Sequence, residues 1–285
     1  MQRFVDGQWL DADSTSVSRG MSESRQRRSV FTTMAIQASR PVFLREHLFR
    51  LQRDLTAIHI RPVAEDLICE ALVSGLRRND LRDGLVRIVV APGDDQADGS
   101  DDASCLSLLF ESPRPHPGPV TLMLAELPAS AQCSIKQVWR GDWEKAAEPA
   151  LAAGCFDVLA TCEGQLLETS ICNVFVVIGE ELATPPADGR ILPGIAREQL
   201  LAADDLNTSE VPVRVAELES AQAVFITNCV RGVIPVRQIV GADQIEVWSS
   251  EAQNAADVER AAACWRRLVE REIDGNDRGF DQLYP

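Results

Sequence analysis

The chain has 285 residues, 45% of them hydrophobic and 25% charged, a globular composition long enough for one large domain or two of about 140 residues each. Its 28 Lys and Arg against 43 Asp and Glu leave a formal charge of −15, and no basic tract interrupts that surface, which argues against a nucleic-acid partner. The longest apolar runs, Ala150–Ala160 and Ile171–Ile178, are interrupted by polar residues and fall short of the roughly 18–20 residues a membrane span needs, so no membrane partner is expected.

The start, Met1-Gln2-Arg3-Phe4-Val5-Asp6, shows no signal-peptide core. Eight cysteines (Cys69, Cys105, Cys133, Cys155, Cys162, Cys172, Cys229 and Cys264) form no C-x-x-C pair, and there are three histidines. They read as reduced, mostly buried thiols with no metal site, in a cytoplasmic protein.

In chain order, Arg3-Phe4-Val5 and Gln8-Trp9-Leu10 flank Asp6-Gly7, the pair a tight hairpin turn favours. Ser14–Arg28 is polar and basic and is expected to be a loop. Val30–Ile36 and Pro41–Leu44 form a second hairpin across Gln37–Arg40. Leu44, Leu48, Leu51, Leu55 and Ile58 recur at helical spacing. Pro62 suits the first turn of a further helix through Leu67, Ala71 and Leu76. Leu85–Ala91 and Cys105–Phe110 read as strands about the acidic loop Gly93–Asp102. The run Glu111–Pro119 holds four prolines, which no helix interior or central strand accepts. It divides the chain into an N-terminal subdomain (residues 1–112), a linker (113–119) and a C-terminal subdomain (120–285). Beyond it, Val120–Leu127, Phe156–Thr161, Val174–Ile178, Val211–Val215 and Ala223–Thr227 read as strands. Trp143–Ala153, Gly194–Ala203 and Asp257–Glu272 read as helices. The fold class is therefore α/β or α+β in two subdomains.

No G-x-S-x-G, H-E-x-x-H, Walker loop or G-x-G-x-x-G occurs, which removes the simplest hydrolase, zinc-protease, kinase and dinucleotide readings. What remains are polar residues inside apolar segments. Lys136 lies between Ile135 and Val138-Trp139, Glu168 ends Leu166-Leu167, and Asn173 precedes Val174–Val177. Pro193-Gly194 before a helical run leaves free N–H groups, a cradle suited to phosphate, although a plain loop-to-helix junction reads the same way. Thr227-Asn228-Cys229 ends a buried strand in small polar groups. Arg50 falls about 120° from the centre of its helix's apolar stripe, so by default it is solvated; the sharper reading is a fixed cation for an anionic ligand.

In combination these segments resemble the fold-type IV pyridoxal-phosphate enzymes, the class IV aminotransferase family, from about Val30 to Arg237. The resemblance is carried by Val30-Phe31-Thr32-Thr33, Glu46-His47-Leu48-Phe49-Arg50-Leu51, Lys136 with Arg140, and Glu168–Phe175. It continues through Thr184-Pro185-Pro186, Ile191–Arg197, and Phe225–Cys229 leading into Pro235-Val236. It implies a two-subdomain fold with the cofactor, pyridoxal 5′-phosphate, in the cleft and held as a Schiff base on Lys136. A buried lysine suits this, since burial disfavours its charged form. Glu168 would face the ring nitrogen and strengthen the electron sink. Arg50, the backbone of Gly194, Ile195 and Ala196, and Thr227, Asn228 and Cys229 would hold the phosphate, and Leu192 would pack on the ring. Arg87, a charge in the strand Leu85–Val90, and Phe31 are the substrate candidates, with a strand-edge ion pair as the plainer reading of Arg87.

Within that family, Phe31-Thr32-Thr33, Thr227-Asn228-Cys229 and Pro235-Val236 are most similar to the aminodeoxychorismate lyases. This implies that Lys136 removes a ring proton, with Thr32 or Thr33 bonding near the leaving enolpyruvyl group. A transaminase for D-amino or branched-chain amino acids, or a non-catalytic cofactor-binding relative, stay open beside it. The sequence departs from the family pattern at Ser29, Trp139 and Ala196. The resemblance also implies a homodimer acting on a small amino substrate.

Overall fold

The computed structural model describes residues 1–11, 22–93, 104–127, 134–250 and 255–275. Cys133, the loop expected at Gly93–Asp102 beyond its first residue, and most of the Ser14–Arg28 loop lie outside the described residues. The chain divides into two compact units. The first takes residues 1–114 with 135–139 and the chain from 269; the second takes 115–134 and 140–268. The crossing at Arg114–Pro115 falls inside the proline-rich segment, which carries no regular structure from 112 to 119. Two stretches expected in the second unit, 135–139 and 269–275, belong to the first. Hydrogen bonding decides this. Phe31 N–H donates to Lys136 O (2.9 Å), Val138 N–H to Ser29 O (2.8 Å), and Arg40 Nη1 to Ile273 O (3.2 Å).

The first unit is an antiparallel six-stranded sheet covered by two helices. Its strands are β1 (Gln2–Val5), β2 (Gln8–Asp11), β3 (Val30–Gln37), β4 (Arg40–Pro41), β5 (Gly84–Pro92) and β6 (Ser104–Glu111), in the order β2-β1-β6-β5-β3-β4. Asp6 and Gly7 both have positive φ (44° and 84°), as the tight β1–β2 turn demands. A five-residue helix, α1 (Glu23–Arg27), capped by Ser22 Oγ, stands where a loop was expected. Two longer helices, α2 (Leu44–Ala57) and α3 (Glu65–Arg78), pack on the sheet face formed by Val30, Met34 and Ile36. The α3 helix starts three residues after Pro62, with Ala64 at its N-cap, rather than at the proline. Gly75 is needed on α3, because a Cβ there would sit 1.9 Å from Phe110 Cζ on β6.

In the second unit the strands are β7 (Val120–Glu126), β8 (Asp157–Cys162), β9 (Gln165–Thr169), β10 (Asn173–Ile178), β11 (Glu181–Thr184), β12 (Thr208–Glu210), β13 (Ala223–Asn228), β14 (Gly232–Val240) and β15 (Glu246–Ser249). The order is β12-β11-β10-β13-β14-β7-β8-β9, with β15 on β14. An additional pairing of Asn173 with Glu168 joins β9 back to β10 and closes six strands into a ring. The parallel pair β7–β8 is bridged in sequence by α4 (Gly141–Ala152); α5 (Ile195–Leu201) and residues 255–268 of α6 (Ala255–Asp274) also belong to this unit. Val211–Val215, expected as a strand, is not one. Val213 is buried, and Arg214 makes a single antiparallel bridge with Gln165 on β9 before a 3-10 turn at Val215–Ser220, so the pairing stops short of a strand. The core runs along β10 and β13, where Phe175 and Phe225 face each other in register and stack at 5.0 Å between centroids.

Candidate active site

In the first unit, strand alternation sorts the Phe31-Thr32-Thr33 motif onto two faces. Thr32 turns to the helices and is fully buried. Its Oγ1 lies 2.6 Å from Nδ1 of His47 and accepts from Nη2 of Arg50 at 3.0 Å. Thr32, expected near the reacting bond, is thus committed to holding two α2 side chains. Thr33 is on the opposite face, in register with Arg87 on β5. On that face Phe31 clusters with Val89 and Val138. The Arg87 guanidinium carbon is 4.0 Å, and Lys136 Nζ 4.9 Å, from the centre of the Phe31 ring. Aromatic faces attract cations, so Phe31 gathers both charges. Lys136 is half-buried.

Arg50 is buried, 6% exposed, rather than solvated. On α2, His47, Arg50 and Asp54 follow each other at intervals of three and four, the same spacing as Leu44, Leu48, Leu51 and Leu55. They share the buried side of the helix. Burial first, then the charges of Arg50 and Lys136, hold the pKa of His47 well below the usual histidine range, so it stays neutral. Its Nε2 has no hydrogen-bond partner among the described residues. The departures at Ser29 and Trp139 are accounted for by α1. Ser29 Oγ donates to Arg25 O at 2.6 Å, and the Arg27 guanidinium lies 3.5 Å over the Trp139 ring.

The second unit fixes a buried carboxylate. Glu168 accepts the Leu192 N–H on Oε1 at 3.0 Å and the Asn173 side-chain amide on Oε2 at 2.9 Å. The same Asn173 Nδ2 donates to Leu192 O at 2.9 Å, so Asn173 clamps the Leu192 loop to Glu168. Gly194 follows; a Cβ on it would lie 2.0 Å from Asn173 Oδ1. Ile195 and Ala196 open α5, both buried. Arg197 is buried too, donating to Pro185 O at 2.7 Å and pairing with Glu210 at 3.2 Å. Thr227, opposite Asn173 on the neighbouring strand, is buried, and its Oγ1 has no hydrogen-bond partner among the described residues. Asn228 Oδ1 accepts the N–H groups of Val230 and Arg231, both at 2.9 Å, which shapes the turn through Cys229. Nearby, burial pushes the Asp157 carboxyl up, and burial and Asp157 push the Cys172 thiol up to about 12.

The expected residues therefore fall into two sets. Phe31, Thr32, Thr33, Arg50, Arg87 and Lys136 belong to the first unit. Glu168, Leu192, Gly194, Ile195, Ala196, Thr227, Asn228 and Cys229 belong to the second. Three further residues, His47, Asp54 and Asn173, hold these in place. The first two were detectable as polar residues in step with an apolar stripe; Asn173 stood out in the sequence at the head of an apolar run, and the pairing of β9 with β10 gives it its role.

The family model of class IV amino-transferases matches residues 29–239, and the chain belongs to that family. Family members use pyridoxal 5′-phosphate, and the chain is a pyridoxal-phosphate-dependent enzyme, a lyase or an aminotransferase. A Methanocaldococcus jannaschii protein assigned as a branched-chain-amino-acid aminotransferase is 25% identical over 255 residues, covering 85% of this chain and 88% of its own. Two solved structures share the fold. One is a Legionella pneumophila protein assigned as a 4-amino-4-deoxychorismate lyase (TM-score 0.74, 22% identity, 86% of this chain and 91% of that one). The other is a hypothetical aminotransferase from Mycobacterium tuberculosis in its PLP-bound form (TM-score 0.76, 18% identity, 93% and 99%). Among the described residues no helix is long and apolar enough to cross a membrane.

The residues present fit the cofactor. Within the first unit, Arg50 is a buried guanidinium, the permanent positive charge that suits a phosphate; within the second, the Thr227 hydroxyl is buried without a hydrogen-bond partner among the described residues, a donor that suits one. A pyridine nitrogen that must stay protonated takes a fixed carboxylate, and Glu168 is fixed by two donors.

Proposed function

We propose that the chain is a lyase that converts 4-amino-4-deoxychorismate to 4-aminobenzoate and pyruvate. The observation that supports this reading is the face of β3 that carries Phe31 and Thr33, where the Phe31 ring lies within 4.9 Å of the Lys136 amine and 4.0 Å of the Arg87 guanidinium, with Thr33 in register with Arg87. In this assignment Lys136 carries the cofactor, Arg50, Ile195, Ala196 and Thr227–Cys229 hold its phosphate, Glu168 meets its ring nitrogen, and Leu192 packs on the ring. The bound cofactor supplies an electron sink for the carbon next to the substrate nitrogen. The Lys136 amine takes the proton from that carbon. The bond from the ring to the enolpyruvyl oxygen then breaks, the ring becomes aromatic, and the departing enol takes up a proton to become pyruvate. Arg87 holds a substrate carboxylate, and Thr33 donates to the departing oxygen. Thr32 keeps Arg50 in place.

The branched-chain aminotransferase assignment of the M. jannaschii relative favours a second reading, amino-group transfer on the same scaffold. Purified protein incubated with aminodeoxychorismate alone is expected to release pyruvate; a strict requirement for an amino acceptor overturns the lyase in favour of the transaminase. The Lys136→Ala variant is expected to lose the visible absorbance of lysine-bound cofactor, and an intact band moves the attachment elsewhere. The same reading makes the chain a cytoplasmic homodimer, for which sedimentation of a monomer at micromolar concentration is the adverse result.

A further inference from the structure

Asp54 occupies a position that every local rule disfavours. It lies in the last turn of α2, where the helix dipole repels a carboxylate, and only 1% of it is exposed. Two contacts offset this. Oδ1 accepts Nε and Nη2 of Arg53 at 3.1 and 2.8 Å. Oδ2 accepts the backbone N–H of Lys136 at 3.0 Å, across 82 positions of sequence. The carbonyl of Lys136 is held as well, by the Phe31 N–H at 2.9 Å. Both main-chain polar groups of one residue are therefore fixed, one by the end of α2 and one by the start of β3. A residue that violates local preference without a folding reason of its own points to function.

We propose that Asp54 is the positioning residue of Lys136, fixing the backbone from which the amine extends over Phe31. The inference rests on the reading of Lys136 as the cofactor lysine. Two consequences separate it from a general structural role. The Lys136 amide is protected from exchange even in cofactor-free protein, because its acceptor is a buried side chain rather than a cofactor atom. An asparagine at 54 restores function, because its Oδ1 accepts the same N–H while the half-exposed Arg53 turns to water.

The experiment combines hydrogen exchange of apo protein over 134–139 with borohydride trapping of added pyridoxal phosphate, the labelled lysine being identified by mass spectrometry. Asp54→Ala is expected to accelerate exchange at Lys136 and to slow trapping there by about tenfold or more, since displacements of an ångström carry penalties of that size. Asp54→Asn is expected to stay within about threefold of the parent in both, on the strength of the retained hydrogen bond. Wild-type rates in Asp54→Ala, or an asparagine variant as slow as the alanine one, overturn the proposal. Should Asp54→Ala not fold, exchange in the unmodified protein decides: a Lys136 amide as unprotected as a free peptide overturns it. Wild-type protein whose adduct forms on a different lysine refutes the assignment of Lys136 instead, with the exchange result left standing.

Discussion

Replacing Thr32 by valine removes one oxygen and puts a methyl group in nearly the same space, so no cavity opens and the effect is that of the hydroxyl. Two bonds disappear, to Arg50 Nη2 at 3.0 Å and to His47 Nδ1 at 2.6 Å, at a residue fully shielded from water. A bond to a charged group contributes about 1.5–3 kcal/mol and a neutral one about 0.5–1.5 kcal/mol. The added methyl returns about 0.8 kcal/mol of apolar burial. The net loss is about 1–4 kcal/mol, which for a chain of this size lowers the melting temperature by roughly 2–7 °C. Thr32→Ser keeps both bonds and loses only a methyl, at about 0.5–1.5 kcal/mol. The decisive assay pairs thermal melting of apo protein with titration of pyridoxal phosphate. Thr32→Val is expected to melt lower and bind the cofactor more weakly, because Arg50 is no longer held, whereas Thr32→Ser binds as the parent does. A valine variant that melts within a degree of the parent, or binds the cofactor as tightly as the serine variant, refutes the positioning role.

Glu168→Gln confronts two converging donors, Leu192 N–H and Asn173 Nδ2, with a group that can accept at only one of its ends. Relief of a buried charge offsets part of the cost, so melting should fall by the equivalent of about 1–2 kcal/mol, and turnover should fall much further; full turnover excludes a need for the carboxylate. Gly194→Ala puts a Cβ 2.0 Å from Asn173 Oδ1, forcing Asn173 off both Glu168 and Leu192; a loss of about 1–3 kcal/mol is expected from the overpacking, and an unchanged melting temperature counts against the clamp. His47 gives a pH signature. Its folded pKa is lowered, so as pH falls below about 6.5 the unfolded chain binds the proton first, and stability present above that pH is lost on acidification. Comparing melting curves between pH 7.5 and 5.5, His47→Asn should show the shallower fall; parallel slopes would show that the histidine is not buried neutral.

Most of the secondary structure was legible because each element carried its own local cause. Asp6-Gly7 supplied a turn with positive φ, and Leu44, Leu48, Leu51 and Leu55 supplied a helical stripe. The errors arose where apolar pattern and pairing part company. Val213 is buried within Val211–Val215, yet the segment makes a single bridge, Arg214 with Gln165, rather than a strand. Residues 22–28 read as loop because a five-residue helix lies below the length at which periodicity shows. Arg50 was placed toward solvent by its angle from the leucine stripe. The stripe is wider than the leucines alone, because His47, Arg50 and Asp54 extend it with polar residues that find partners inside.

The order of short motifs along the chain was enough to determine the family, the cofactor and the identity of the lysine to test, because each motif depends on residue type and spacing alone. The tertiary structure decided what those residues do for one another. Thr32 and Thr33 are adjacent in sequence, but the pleat of β3 sends one to Arg50 and the other to the face of Arg87. The short stretch 135–139, with Lys136 in it, belongs with the first unit although the chain on either side belongs to the second, because the Lys136 amide and carbonyl are bonded to Asp54 and Phe31. Such pairings join residues many tens of positions apart, and only the closed chain brings those donors and acceptors within about 3 Å of each other.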